Sequence, residues 1–321
     1  MPVALPEVQR IRTNGVTLEV YEAGPQTGLP VVLCHGFPEL AYSWRYQIEA
    51  LSAAGFHVIA PNQRGYAGSD KPADVLAYDI HHLTADLTGL LDHFGIDKAV
   101  FCGHDWGGLV VWQVPLLHPT RVAGVIGVGV PFLPRAAEDP IMTFRRMWGE
   151  RMYIVDFQRS LEADAVFGSD PHRVFDVLMR KNPLSLSEFH KLPHEDKVAD
   201  LVKRIKAGPG QGELIGSAGD LQFYAESFRR SGFTGPINWY RNWSRNWLTT
   251  AHVRQHVSVP ALFIKAGNDL ATAAIPDIES LMVGHVDDLE VREVPDSGHW
   301  LQQEYPDEVN GFLLEWLKRR Y

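Results

Sequence analysis

Cysteine is nearly absent. Two thiols in 321 residues cannot build a disulfide framework or a cysteine-ligated zinc site. Basic charge is also short. With 30 Lys+Arg against 39 Asp+Glu, the formal net charge of -9 leaves no surplus to hold nucleic acid or an anionic membrane. No stretch approaches the roughly 18 uninterrupted apolar residues of a membrane span. The opening segment, MPVALPEVQRIRTNG, lacks a charged region leading into an apolar core. These absences predict a cytoplasmic protein with neither a nucleic-acid nor a membrane partner. Internal repeats and low-complexity tracts are missing too.

What is present is a core-forming composition, 45% hydrophobic, arranged as an alternation. Val31 to Cys34 is a short apolar run, and Trp44, Ile48 and Leu51 then recur at helical spacing up to Gly55. The pattern repeats with His57 to Ala60, with the stripe Ile80, Leu83, Leu87, Leu90, Leu91 and Phe94, with Ala99 to Cys102, and with 122–130. Buried strands alternating with amphipathic helices predict a mostly parallel sheet covered on both faces. Cys34 and Cys102 lie inside such runs and are expected to be packing residues. After Pro131 the character changes to charged and aromatic residues with helical periodicity, and sheet-type runs resume only at 261–267 and 289–294. The expected organisation is a core from 1–133 and 249–321, split by a helical cap, or lid, over 134–248. Within it, the Gly-rich segment 207–220 is expected to be a mobile loop.

The sharpest chemical signal is Gly103-His104-Asp105-Trp106-Gly107-Gly108, where an apolar strand gives way to the helical run from Leu109. This has the pattern of a strand-to-helix elbow that exposes its central side chain, here Asp105 where a serine often stands. A carboxylate needs no base for its own attack and displaces at carbon to leave an ester on the enzyme. The plainer alternative is a Gly-rich turn with a helix-capping aspartate. Ahead of it, His35-Gly36-Phe37-Pro38 follows the first core strand. There the backbone N–H of Phe37 can join that of Trp106 in an oxyanion hole, although an HG dipeptide is also an ordinary turn. Asp269 follows the strand at 261–265, and His299 follows the one at 289–294, in the order nucleophile, acid, histidine. Asp277, Asp287, Asp288 and Asp296 compete for the acid role, and each is also explained as a solvated loop charge.

Several of these segments together resemble the α/β-hydrolase-fold epoxide hydrolases, in particular the catalytic domain of the soluble mammalian type. They are CHGFPE (34–39) with YSWRYQIEAL (42–51), VFCGHDWGGLVVW (100–112), LQFYAESFRRSGFTGPINWYRN (221–242), VPALFIKAGND (259–269) and SGHWLQQEYPDEVN (297–310). The resemblance implies two cap tyrosines that bind and protonate the epoxide oxygen, and these fall on Tyr153 and Tyr240, with Tyr224 as a rival. It implies hydrolysis of a small-molecule epoxide to a vicinal diol through a hydroxyalkyl ester of Asp105. Water activated by His299 would cleave that ester, with Asp269 orienting the imidazole, and no cofactor or metal is required. A monomer or homodimer is expected. The mammalian type carries a further N-terminal phosphatase domain for which this chain is too short.

Three other activities use related features. A haloalkane or haloacid dehalogenase shares the Asp–His–Asp set but needs donors for a leaving halide, where two phenols suit an alkoxide. A serine-type esterase is disfavoured by Asp105 itself. A non-catalytic small-molecule receptor on the same scaffold would have no reason to keep Asp105, Asp269 and His299 together. Phe37, Trp106, Phe132 and Trp148 are candidates to line an apolar pocket. One departure from the family pattern is Pro115, inside the helix after the nucleophile, where it removes a backbone bond to Val111 and predicts a kink.

Overall fold

The computed structural model describes residues 5–159, 161–181, 184–273, 275 and 277–321. Its centre is an eight-stranded sheet in the order β1-β2-β4-β3-β5-β6-β7-β8. The strands are β1 (Val8–Thr13), β2 (Val16–Ala23), β3 (Pro30–Cys34), β4 (His57–Asn62), β5 (Ala99–His104), β6 (Val122–Val128), β7 (Ala261–Ala266) and β8 (Leu289–Val294). From β4 to β8 the neighbours run parallel, and only the pairings of β2 with β1 and β4 are antiparallel. This is the α/β-hydrolase fold.

The inner strands read as unbroken apolar runs because both faces are covered. Along β3, Val31 and Leu33 pack on one side with α1 (Arg45–Ala53), while Val32 and Cys34 pack on the other with α2 (Ile80–His93) and α3 (Trp106–Leu117). The stripe read for α2 is buried from Ile80 to Leu91, and Asp79 caps its start by accepting the His82 N–H at 3.1 Å. Cys34 and Cys102 are free and buried, as packing residues should be. Pro115 sits in the last turn of α3, which remains one helix to Leu117. Its missing N–H therefore affects a single bond near the end of the helix, where the break is cheapest.

Two elements escaped the alternation pattern. The hairpin β1–β2 lies at the sheet edge, so only every second residue is buried, and its turn is Asn14-Gly15 with φ of 43 and 79. The segment 207–220 is also more ordered than its composition suggests. Gly210 N–H donates to Asp176 at 2.8 Å, Lys181 N–H to Glu213 O at 2.9 Å and Ile215 N–H to Met179 O at 3.0 Å. Its end is already helix, capped by Ser217.

Between β6 and β7 the chain leaves the sheet and forms α4 (Pro140–Trp148), α5 (Tyr153–Asp156), α6 (Glu162–Ser169), α7 (Pro171–Leu178), α8 (Leu186–Lys191), α9 (His194–Lys197), α10 (Leu201–Ala207), α11 (Ala218–Ser231), α12 (Thr234–Arg241) and α13 (Trp243–Thr249). After β7 follow α14 (Ile278–Met282), α15 (Leu301–Glu304) and α16 (Pro306–Arg320). The helical insertion is tied to the core by buried polar contacts. Trp239 donates its indole N–H to Arg64 O at 3.0 Å, Asn242 bonds Val75 O at 2.7 Å, and the Tyr42 hydroxyl donates to Asp220 at 2.6 Å. Asp220 also faces the buried Arg45 guanidinium at 3.6 Å.

Candidate active site

The elbow between β5 and α3 holds Asp105 at φ 51, ψ −122, a conformation that costs a non-glycine residue about 1–3 kcal/mol and survives only where its surroundings enforce it. They do so by close approach. A Cβ on Gly107 would lie 2.0 Å from Cys34 O, and one on Gly103 would lie 2.2 Å from Gly107 O. Only glycine lets the start of α3 fold back this tightly, and the result is a carboxylate raised at the carboxyl end of the central strand.

The two carboxylate oxygens of Asp105 face different partners. Oδ1 accepts the Phe37 N–H at 2.7 Å, and the Trp106 N–H also bonds the carboxylate. Oδ2 lies 3.7 Å from His299 Nε2. Burial raises the Asp105 carboxyl above its ordinary range, against the pull of His299, His104 and the two backbone donors. His299 Nδ1 meets Asp269 Oδ2 at 3.0 Å, and Asp269 is 1% exposed with its other oxygen on the Ala271 N–H at 2.8 Å. Burial would lift Asp269, but the His299 charge and these bonds keep it below the usual carboxylate value. Burial likewise works against the His299 imidazolium, yet Asp269 and then Asp105 raise it to about 10.

The rival acids are engaged elsewhere. Asp277 caps α14 through Ser280, Asp287 pairs with His256 at 3.0 Å, and Asp288 holds Arg320. Asp296 lines a surface cleft with Lys181 and Ser185.

Tyr240, on α12, and Tyr153, at the start of α5, face this group from the insertion. The Tyr240 ring is gripped edge-on by Phe37 at 5.2 Å, Trp106 at 5.1 Å, Phe157 at 5.1 Å and Tyr153 at 5.6 Å. Each such contact is worth about 0.5–1.5 kcal/mol beyond burial. Phe37 and Trp106 thus bind Asp105 through their backbones and Tyr240 through their rings. Gln158 joins the two tyrosine-bearing helices, donating to Ile154 O and Tyr240 O, both at 2.8 Å. Burial raises the Tyr153 phenol and so does the Asp105 charge; Tyr240 is raised by burial, by Tyr153 and by Asp105. Tyr224 instead gives its hydroxyl to Gln303 at 3.2 Å. Among the pocket candidates, Phe37 and Trp106 lie at the site. Phe132 packs against Trp112 and His285, and Trp148 stacks on His194.

A second buried layer was not assigned from the sequence. Glu39 and His104 are each 0% exposed. His104 Nδ1 meets Glu39 Oε2 at 2.8 Å, and Nε2 meets the His299 carbonyl at 2.7 Å, so the ring faces an acceptor at each nitrogen. Glu39 also accepts from Gly36 N–H at 3.0 Å and from the Gln302 and Gln303 amides at 2.9 Å. His35 braces the Phe37 loop from below, accepting Gln63 N–H at 3.1 Å, and burial lowers its imidazole to about 4, so it stays neutral. Glu39, His104, His35, Gln302 and Gln303 all lie inside the segments that carry Asp105, Phe37 and His299, and position within those segments is their signal. Among the described residues no group of His, Cys, Asp and Glu could hold a metal ion, and no helix is long and apolar enough to cross a membrane.

Residues 30–306 match the α/β hydrolase fold family. The chain is 47% identical to epoxide hydrolase A of Mycobacterium tuberculosis, over 97% of each protein. It is 35% identical to bifunctional epoxide hydrolase 2 of Sus scrofa over 99% of this chain, spanning 56% of that longer relative. The crystal structure of epoxide hydrolase A from Mycobacterium thermoresistibile superposes with a TM-score of 0.85 at 42% identity, covering 98% of both chains. The solved structure of an epoxide hydrolase from an endophytic Streptomyces gives 0.86 at 34% identity, covering 97% of this chain and 95% of the other.

Proposed function

The chain belongs to the epoxide hydrolases of the α/β-hydrolase fold, and from that premise we propose that it opens epoxides with Asp105 and releases vicinal diols by hydrolysing the resulting ester. One observation carries the assignment of roles: the Asp105 carboxylate is divided, with Oδ1 on the Phe37 N–H at 2.7 Å and Oδ2 turned toward His299 at 3.7 Å.

Oδ2 attacks an epoxide carbon, the carbon–oxygen bond breaks, and the departing oxygen takes a proton from the Tyr153–Tyr240 pair. The phenols resist ionisation partly because Asp105 is charged. Ester formation removes that charge at the moment a phenolate is needed. The same loss removes one of the three carboxylates that hold the proton on His299, leaving Asp269 and Glu39, so the imidazolium can return a proton to the phenolate and become neutral. Neutral His299, oriented by Asp269, then takes a proton from water, and the hydroxide attacks Cγ of the ester. Oδ1 becomes the oxyanion and already accepts the Phe37 N–H, with the Trp106 N–H on the same carboxylate as the second donor. The Cγ–Oδ2 bond breaks, the leaving oxygen takes the proton that remains on the added hydroxyl, the diol departs, and the enzyme returns to Asp105 carboxylate, His299 imidazolium and two neutral phenols. The proton count closes with one epoxide and one water consumed.

The insertion over 134–248 acts as the cap in this scheme, closing over the site and delivering the phenols. A dehalogenase is less well served, because the Trp106 indole N–H faces the Tyr240 hydroxyl rather than standing free for a halide. A cytoplasmic location accords with the two free, buried thiols. The test is to incubate the His299→Gln variant with styrene oxide and follow intact mass and the peptide bearing Asp105, with the wild type assayed for diol and for halide from a haloalkane. A substrate-mass adduct on Asp105 together with wild-type diol supports the scheme. Halide release without diol transfers the assignment to dehalogenation, and silence in every assay removes the catalytic roles.

A further inference from the structure

Glu304 has no part in the chemistry above, yet it holds the loop that carries His299 from both sides. Its Oε2 accepts the Gly298 N–H at 3.1 Å and its Oε1 accepts the Trp300 N–H at 3.0 Å, so the N–H groups of the residues on either side of the histidine end on one carboxylate. The carbonyl of His299 itself is held by His104 at 2.7 Å. Two side chains thereby fix the backbone polar groups around the imidazole, and Glu304 supplies the holds on either flank. Bonding through both oxygens at once calls for a carboxylate, which accepts on each side and donates on neither. The outer face of Glu304 opens on a cleft of about 170 Å³ lined with Lys181, Ser185, Asn268 and Asp296.

We propose that Glu304 is a positioning residue for the second half-reaction, clamping the 298–300 backbone so that His299 Nε2 stays aimed at the water that attacks the ester. The proposal rests on the two-step scheme. Attack on the epoxide depends on Asp105, which sits on β5 and α3, and on the tyrosines of the insertion; none of these bonds Glu304. Ester hydrolysis depends on the direction of the imidazole, where a shift of about 1 Å can cost on the order of 10²-fold in rate. Losing the clamp therefore slows one step and spares the other. A role confined to capping the short helix α15 would instead lower stability and reduce both rates in proportion to the folded fraction.

Rapid-quench single turnovers of styrene oxide, read by intact mass, resolve the two steps in wild type, Glu304→Ala and Glu304→Gln. Expected in Glu304→Ala is an alkylation rate constant within about twofold of wild type and ester hydrolysis slowed about tenfold or more, with ester accumulating. Glu304→Gln keeps one acceptor oxygen and falls between the two. Equal loss in both steps, or unchanged hydrolysis in Glu304→Ala, overturns the clamp. Absence of any ester in wild type and His299→Gln alike overturns the two-step scheme itself, and the clamp with it.

Discussion

The sheet and the helical insertion approach the same small volume by different physical means. On the sheet side, Asp105, Asp269 and His299 sit where strands end, and each is fixed by backbone geometry: a strained elbow, the Ala271 N–H, and the held peptides around the histidine. On the insertion side, Tyr153 and Tyr240 are held by ring edges and by Gln158 rather than by a strand. In the proposed scheme the first region makes and breaks the covalent bond, while the second supplies and recovers a proton. That division teaches where substitutions should act. Changes at strand ends should stop a chemical step, and changes in the insertion should weaken the first step in proportion to the proton they remove.

The largest effect is expected for Asp105→Ala, with turnover of styrene oxide falling more than about 10⁴-fold and no adduct by mass, since nothing replaces the nucleophile. Next is His299→Gln, with ester hydrolysis slowed about 10³-fold while alkylation still proceeds, as stopped-flow and quench measurements would show. On the other side of the comparison, Tyr240→Phe should slow alkylation about 10²-fold and Tyr153→Phe no more than that, each without changing the rate of ester hydrolysis. If the tyrosine variants instead slow hydrolysis, the division between the two regions fails.

Two smaller effects concern what joins and stabilises the regions. Asp220→Asn neutralises the charge that the insertion presents to buried Arg45, and urea unfolding should report a loss of about 2 kcal/mol with the ratio of the two rate constants unchanged. His299 provides a test through pH. Its folded value of about 10 lies above an ordinary histidine near 6.5, so the folded state binds the extra proton. This stabilisation is complete below about pH 6.5 and is lost as pH rises through about 10. The melting temperature of wild type relative to His299→Gln should therefore decline across that window; a flat difference would contradict the raised value.

The same two regions differ in how much of them the sequence discloses. Parallel core strands such as β3, and β5 as far as Cys102, are apolar because both faces are buried, so their runs stand out, and the side chains at their ends can be ordered along the chain. The β1–β2 hairpin does not stand out as an apolar run because an edge strand buries only alternate residues, although Asn14-Gly15 is a strong turn signal. Tyr153 and Tyr240 stand out only through family resemblance, since a tyrosine among amphipathic helices looks the same whether it faces a core or a substrate. Glu39, His104 and Glu304 are illegible in the sequence for a different reason. A buried carboxylate becomes visible only when the N–H groups and imidazole that satisfy it are brought together from β3, β5 and α15.

The most direct measurement is the fate of oxygen in a single turnover, with enzyme in excess over styrene oxide in ¹⁸O-labelled water. If Oδ2 of Asp105 attacks carbon and water attacks Cγ, the diol leaves carrying unlabelled Asp105 oxygen and the label appears in the peptide containing Asp105. Label found in the diol, with the peptide unlabelled, would mean that water attacks the epoxide directly and that no ester of Asp105 lies on the path.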